Sequence, residues 1–115
     1  MNNTIVSTNR KAYHEYHILE TFEAGIQLKG SEVKSIREGN ANLKQSYILI
    51  NKGEAWLRGF HIAAYSNTGY DGHELTRNRK LLLHKKEIKK IESKLSEKGL
   101  TAVPTKLYFK KTSTN

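Results

Sequence analysis

The chain has no cysteine, and only one proline, one tryptophan and one methionine among its 115 residues. Without cysteine there is no disulfide framework, thiolate zinc site, thiol nucleophile or iron–sulfur cluster, and the composition fits a reducing compartment. No segment approaches the roughly 18 consecutive apolar residues that a membrane span needs, and the stretch from Met1 to Lys11 lacks the apolar block of a signal peptide. A cytoplasmic protein is therefore expected. Also missing are G-x-G-x-x-G, GK[ST] and any repeated βαβ pattern, which excludes a parallel dinucleotide-binding fold and nucleotide hydrolysis of the P-loop kind. The length and a hydrophobic fraction of 37% suit one modest core.

What is abundant is positive charge, and it is unevenly spread. The 20 Lys and Arg face 11 Asp and Glu, a formal net charge of +9. Residues 77–111 carry twelve of the basic residues against Glu87, Glu92 and Glu97, so this last third accounts for the whole excess. Such asymmetry points to a polyanionic partner, because each cation that meets a phosphate releases condensed counterion. The bland alternative is a solvated helix face that serves solubility.

From Tyr16 to Leu28 the even positions are Tyr, Ile, Glu, Phe, Ala, Ile and Leu, and this alternation predicts a long half-buried strand, irregular near Gly25. Residues 30–39 predict a two-turn helix capped by Ser31 and ended by Gly39, with Val33 and Ile36 facing inward. Apolar runs at 46–50 and 54–63 flank Asn51-Lys52-Gly53 and predict a hairpin. Tyr65 to Thr76 reads as a polar, mobile loop. Leu81, Leu82 and Leu83 lead into Ile88, Ile91 and Leu95, which share one helical face opposite Lys85, Lys86, Lys89, Lys90 and Lys94. Thr101 to Lys110 predicts a strand, with Pro104 marking an edge or a strand start. The order strand, helix, hairpin, helix, strand gives an α+β, mainly β class: a small antiparallel barrel or partly open sheet. The expected organisation is a flexible N-terminus at 1–11, one domain at 12–110 and a short disordered tail at 111–115.

Chemistry by side-chain type favours binding over catalysis. His14 and His17 lie three apart, so on a strand they face opposite ways and do not share a metal. No spacing nominates a histidine pair for a ribonuclease, and no enzyme, metal or cofactor is expected. Basic and aromatic residues do cluster: Arg10, Lys11 and Tyr13; Arg77, Arg79 and Lys80; Lys106, Tyr108 and Lys110 on alternate positions of one strand. RNA recognition uses such sets, with cations for phosphate and flat or donor groups for exposed bases. For the third cluster a solvated edge strand is the competing reading. A membrane surface is disfavoured, because the last helix has a narrow apolar stripe without aromatics.

The ordered blocks Asn9-Arg10-Lys11-Ala12-Tyr13-His14-Glu15-Tyr16, Phe22-Glu23-Ala24-Gly25-Ile26, Gly30-Ser31-Glu32-Val33-Lys34-Ser35-Ile36-Arg37, Gly39-Asn40-Ala41-Asn42-Leu43, Gly53-Glu54-Ala55-Trp56-Leu57 and Arg77-Asn78-Arg79-Lys80-Leu81-Leu82-Leu83-His84 resemble the small protein B (SmpB) family of bacterial tmRNA-binding proteins. The resemblance runs from residue 9 to about 110. It implies an antiparallel OB-type β-barrel with appended helices, and binding to the tRNA-like domain of tmRNA in rescue of stalled ribosomes. The implied partners are tmRNA and the ribosome, with elongation factor Tu and alanyl-tRNA synthetase engaged indirectly; no DNA is expected. By resemblance Asn9, Glu23 and Leu82 contact RNA: Asn9 as donor and acceptor, Glu23 toward a base amino group or a neighbouring cation, Leu82 against an unstacked base. Turn-former, internal salt bridge and core leucine are the competing readings. With the clusters, the candidate RNA-binding set is Asn9, Arg10, Lys11, Tyr13, Glu23, Arg77, Arg79, Lys80, Leu82, Lys106 and Lys110. Members of the family continue with another strand, a G-K-K block and a D-K-R tail, whereas this sequence reads Lys110-Lys111-Thr112-Ser113-Thr114-Asn115. RNA binding by the body is thus the expectation, together with exposed apolar surface and a tendency to associate. A general structured-RNA binder without tmRNA preference is the alternative.

Overall fold

Short runs of alternating or β-branched residues dominate the chain, and the computed structural model, which describes residues 4–63 and 76–110, turns them into eight strands and three helices. In chain order these are β1 (Thr4–Thr8), α1 (Arg10–Glu15), β2 (Gly25–Ile26), α2 (Gly30–Arg37), β3 (Ala41–Asn42), β4 (Tyr47–Asn51), β5 (Glu54–Arg58), β6 (His61–Ile62), β7 (Arg79–Leu82), α3 (Lys85–Leu95) and β8 (Lys106–Phe109). All pairings are antiparallel and form three sheets: β1-β8, β2-β7-β5-β4 and β3-β6. The α+β, mainly β class holds. Among the described residues the ladders do not join into one closed barrel. The Ile48 N–H donates to the Ala102 carbonyl at 2.9 Å and so ties β4 to the segment before β8, while the Asn9 N–H donates to that of Thr105 at 2.7 Å and continues the β1–β8 pairing by one residue.

The β4–β5 hairpin forms where expected. Lys52 and Gly53 both have positive φ, 53° and 75°, the backbone of a two-residue turn whose twist matches the flanking strands. Past β5 the chain kinks at Gly59 (φ 73°), where an added Cβ would lie 2.7 Å from the Gln45 carbonyl oxygen, so only glycine fits. The kink carries Phe60 and Ile62 inward to meet Ile36, Leu43 and Leu57, and these five are the core. Ile36 comes from α2, whose cap differs from expectation. Lys29 rather than Ser31 is the N-cap residue, and its backbone N–H donates to the Glu32 carboxylate at 2.7 Å. On α3, Ile88 and Ile91 are buried as the helical spacing requires.

Four segments depart from the reading of the sequence. Residues 4–8, expected to be flexible, form β1 and pair with β8. The strand expected over 16–28 is reduced to a two-residue ladder, Gly25↔Leu82 and Ile26↔Leu81. Burial still alternates there, with Phe22, Ala24, Ile26 and Leu28 half-buried, but residues 16–21 are all exposed and β7 is too short to extend the ladder toward them. Beside this segment an apolar groove of about 570 Å³ stays open between Ile18, Phe22, Ile91 and Leu107, and Leu19 is 67% exposed. Leu81 and Leu82, read as leading into a helix, belong to β7, the strand between β2 and β5. Finally, β8 begins at Lys106 rather than Thr101: its partner β1 ends at Thr8, and Asn9, which caps α1, takes the carbonyls of Thr105 and Pro104. The expected loop at 65–76 lies outside the described residues except Thr76, as does the tail at 111–115.

Candidate nucleic-acid interface

The proposed contact residues fall into three groups, separated by what each side chain already holds. Arg79, predicted to face RNA, is inside the protein at 0% exposure, beside the equally buried Glu32. Its Nε and Nη2 donate to Glu32 Oε2 at 2.8 and 2.6 Å, and its Nη1 reaches the Phe60 carbonyl at 2.7 Å. Arg77 closes the other side of the same carboxylate, Nη2 to Oε1 at 2.7 Å and Nε to Oε2 at 3.1 Å. Burial alone would raise the Glu32 pKa, but the hydrogen bonds from Arg77, the Lys29 N–H and Arg79 outweigh it and hold the carboxyl below its ordinary value near 4.5. Arg79 is therefore a structural cation that fastens β7 to α2. Arg77, with its side chain 24% exposed, is largely committed to the same task.

Asn9 is likewise internal. It is 5% exposed, its Oδ1 caps α1 by accepting from the Ala12 N–H at 3.2 Å, and its Nδ2 donates to the carbonyls of Pro104 at 2.9 Å and Leu43 at 3.4 Å. The turn-forming reading of this residue describes the geometry: a helix cap that also pins the approach to β8. What it presents outward is α1, with Arg10 and Tyr13 exposed and Lys11 half-buried.

The remaining candidates are at the surface. Lys106 and Lys110 are exposed on β8 and the residue after it. Glu23 accepts from Tyr108 Oη and from Lys110 Nζ, the latter at 2.7 Å, which joins the segment before β2 to the strand that sequence reasoning grouped separately. Leu82 is 49% exposed, with its side chain laid over Gly25; a Cβ there would stand 3.3 Å from Leu82 Cβ and Cδ1. Glu23 and Gly25 are two apart in an extended segment, and Gly25 pairs with Leu82, so all three project to one face. Lys80 lies on that same face of β7 and pairs with Glu54 at 2.8 Å.

Three residues of this face escaped the sequence reading. Register pairs Trp56 with Lys80 and with Leu49, and Arg58 with Tyr47, so Tyr47, Trp56 and Arg58 share the outward side of the four-stranded sheet with Leu82. The Arg58 guanidinium lies 6.0 Å from the Tyr47 ring centroid, and its Nε donates to Asn78 Oδ1 at 3.3 Å. In the sequence, Trp56 and Arg58 stand out only as members of the run at 54–63. Without β7 as a strand, nothing linked them to Lys80 and Leu82. Among the described residues no group of three or more metal-ligating side chains occurs, and no helix is long and apolar enough to cross a membrane.

Comparison with known proteins places this arrangement in a family. The family model described as SmpB protein matches residues 6–114. The chain is 58% identical over 110 residues to an SsrA-binding protein of Sulfurihydrogenibium sp., covering 96% of this chain and 72% of that one. It is 58% identical over 106 residues to an SsrA-binding protein of Carboxydothermus hydrogenoformans, covering 92% and 71%. A solved structure described as "tmRNA-SmpB: a journey to the center of the bacterial ribosome" superposes with a TM-score of 0.77 at 46% identity, over 92% of this chain and 73% of the other. The chain belongs to the SmpB protein family.

Proposed function

We propose that this protein binds the tRNA-like domain of tmRNA and acts in trans-translation at stalled ribosomes. The observation that carries the reading is the 58% identity, over 96% of the chain, to a relative named SsrA-binding protein. The surface chemistry supports it. Arg10, Lys11, Lys80 and Lys106 offer charge for phosphate, Tyr13 and Leu82 offer surface for an unstacked base, and Glu23 offers an acceptor for base N–H groups. Lys110 acts beside Glu23. Asn9, Arg77 and Arg79 serve the interface from beneath, by fixing α1 and β7. In this reading the three sheets are staves of an OB-type barrel, the protein is a cytoplasmic binder rather than an enzyme, and elongation factor Tu and alanyl-tRNA synthetase meet it only through the RNA.

The test is binding to the tRNA-like domain of tmRNA and to an elongator tRNA across a salt series. Preference for the first at moderate salt is expected. Equal affinity with the same steep salt slope would reduce the protein to a general basic RNA binder.

A further inference from the structure

The outward face of the β2-β7-β5-β4 sheet has an unusual composition for an open face. Antiparallel sheets with one solvated side carry mainly polar residues there. Here the inward positions are filled by Ala55, Leu57 and Leu81 and by the ion-paired Arg79, and the outward ones still hold Tyr47, Leu49, Trp56 and Leu82. Tyr47 is 42% exposed and Leu49 38%, and Trp56 is half-buried. Two cations stand among them. Arg58 lies over Tyr47, and Lys80 lies directly across from Trp56.

These groups are spaced by the sheet itself. Neighbouring strands lie about 4.8 Å apart, so surfaces on β7, β5 and β4 repeat at a distance compatible with successive splayed bases. Rings, a guanidinium plane and a leucine make such a platform, since every base has a π-face and needs no particular edge. A phosphate backbone crossing the platform would meet Arg58 and Lys80, the latter paired to Glu54. The platform is also continuous with Leu82, which the proposed function sets against the RNA.

We propose that this face is an extension of the RNA interface, on which two or three unpaired nucleotides lie across Leu82, Trp56 and Tyr47 with Arg58 and Lys80 at their phosphates. The inference rests on the proposed function and adds to it a track that runs away from Glu23 toward the hairpin.

Trp56 is the sole tryptophan of the chain, so its emission reports on this face alone. The full chain is titrated with an end-labelled transcript of the tRNA-like domain of tmRNA, and RNA anisotropy is followed together with Trp56 emission and iodide quenching. Expected are quenching of Trp56 and loss of iodide access with the same midpoint as the anisotropy, and a loss of affinity of about tenfold in Tyr47→Ser from one lost stacking contact. A rise in anisotropy that leaves Trp56 emission and iodide access unchanged would overturn the placement and spare the function. RNA that does not bind at all would overturn both. A shift of Trp56 emission with protein concentration, without RNA, would assign the face to a second copy and also overturn the proposal. If Tyr47→Ser fails to fold, the Trp56 readout of the unmodified chain still decides.

Discussion

Two carboxylates in this protein are each gripped by two side chains from distant parts of the sequence, and they do opposite work. Glu32 is held by Arg77 and Arg79 inside the fold, with Glu32 and Arg79 fully buried. Glu23 is held by Tyr108 and Lys110 at the surface, with its side chain 51% exposed and that of Lys110 61%. A buried carboxylate deprived of water needs its partners, and losing one leaves an uncompensated charge. An exposed one trades its partners against water at little cost and can trade them against a ligand as well. Burial, not partner count, separates structural ion clusters from those free to serve binding.

The largest test of this contrast is Glu32→Gln, which strands two guanidiniums; the expected loss is about 3–5 kcal/mol in urea unfolding. A loss under about 1 kcal/mol would erase the distinction. Of the two cations, Arg79→Met should destabilise more than Arg77→Met, because Arg77 retains access to water; equal unfolding midpoints would contradict this. The same cluster has a pH signature. The Glu32 pKa is depressed in the folded state, so its contribution is complete above the unfolded value near 4.5 and is lost as pH falls through the lower folded value. Unfolding free energy measured from pH 6 downward should therefore decline in the unmodified protein, with that component absent from Glu32→Gln.

At the exposed cluster the expected effects on stability are small. Tyr108→Phe and Lys110→Met should each shift unfolding by no more than about 1 kcal/mol. Their binding behaviour sharpens the comparison further. Lys110 is already matched by Glu23, so Lys110→Met should barely alter the salt dependence of RNA affinity. Lys106→Met should flatten it by about 0.7, the value for one single-strand phosphate contact. Equal flattening by both would mean that Lys110 leaves Glu23 for the RNA backbone.

Local signals carried the hairpin, α2 and α3, since turn residues and helical spacing are written in neighbouring positions. They failed for β7. Its four residues, Arg79 to Leu82, put a charge on the inward side, and only Glu32, far back in the chain, makes that position internal. The pattern thus reads as basic surface running into a helix, and for the same reason it puts Arg79 among the RNA contacts. β1 does carry a usable strand signal, since Thr4-Ile5-Val6-Ser7-Thr8 is rich in β-branched residues. The site divides in the same way. The exposure of Leu82 and the role of Asn9 as a turn-former could be weighed in advance, whereas the meeting of Glu23 with Tyr108, and of Trp56 with Lys80, depends on register that no single segment contains.

The β1–β8 pairing also bears on the order of folding. Thr4 lies opposite Phe109, so β1 finds its partner only after about a hundred further residues have emerged from the ribosome. The β4–β5 hairpin needs only its own two-residue turn and can close early. Of the described ladders, β1–β8 bears the greatest loop-closure entropy, a cost that grows slowly with length but precedes any gain from pairing. Because Asn9 follows β1 directly and reaches across to Pro104, the cap that orders α1 is completed in that same late step. Helix α1, with the Arg10 and Lys11 of the proposed interface, is thus among the last parts of the fold to settle.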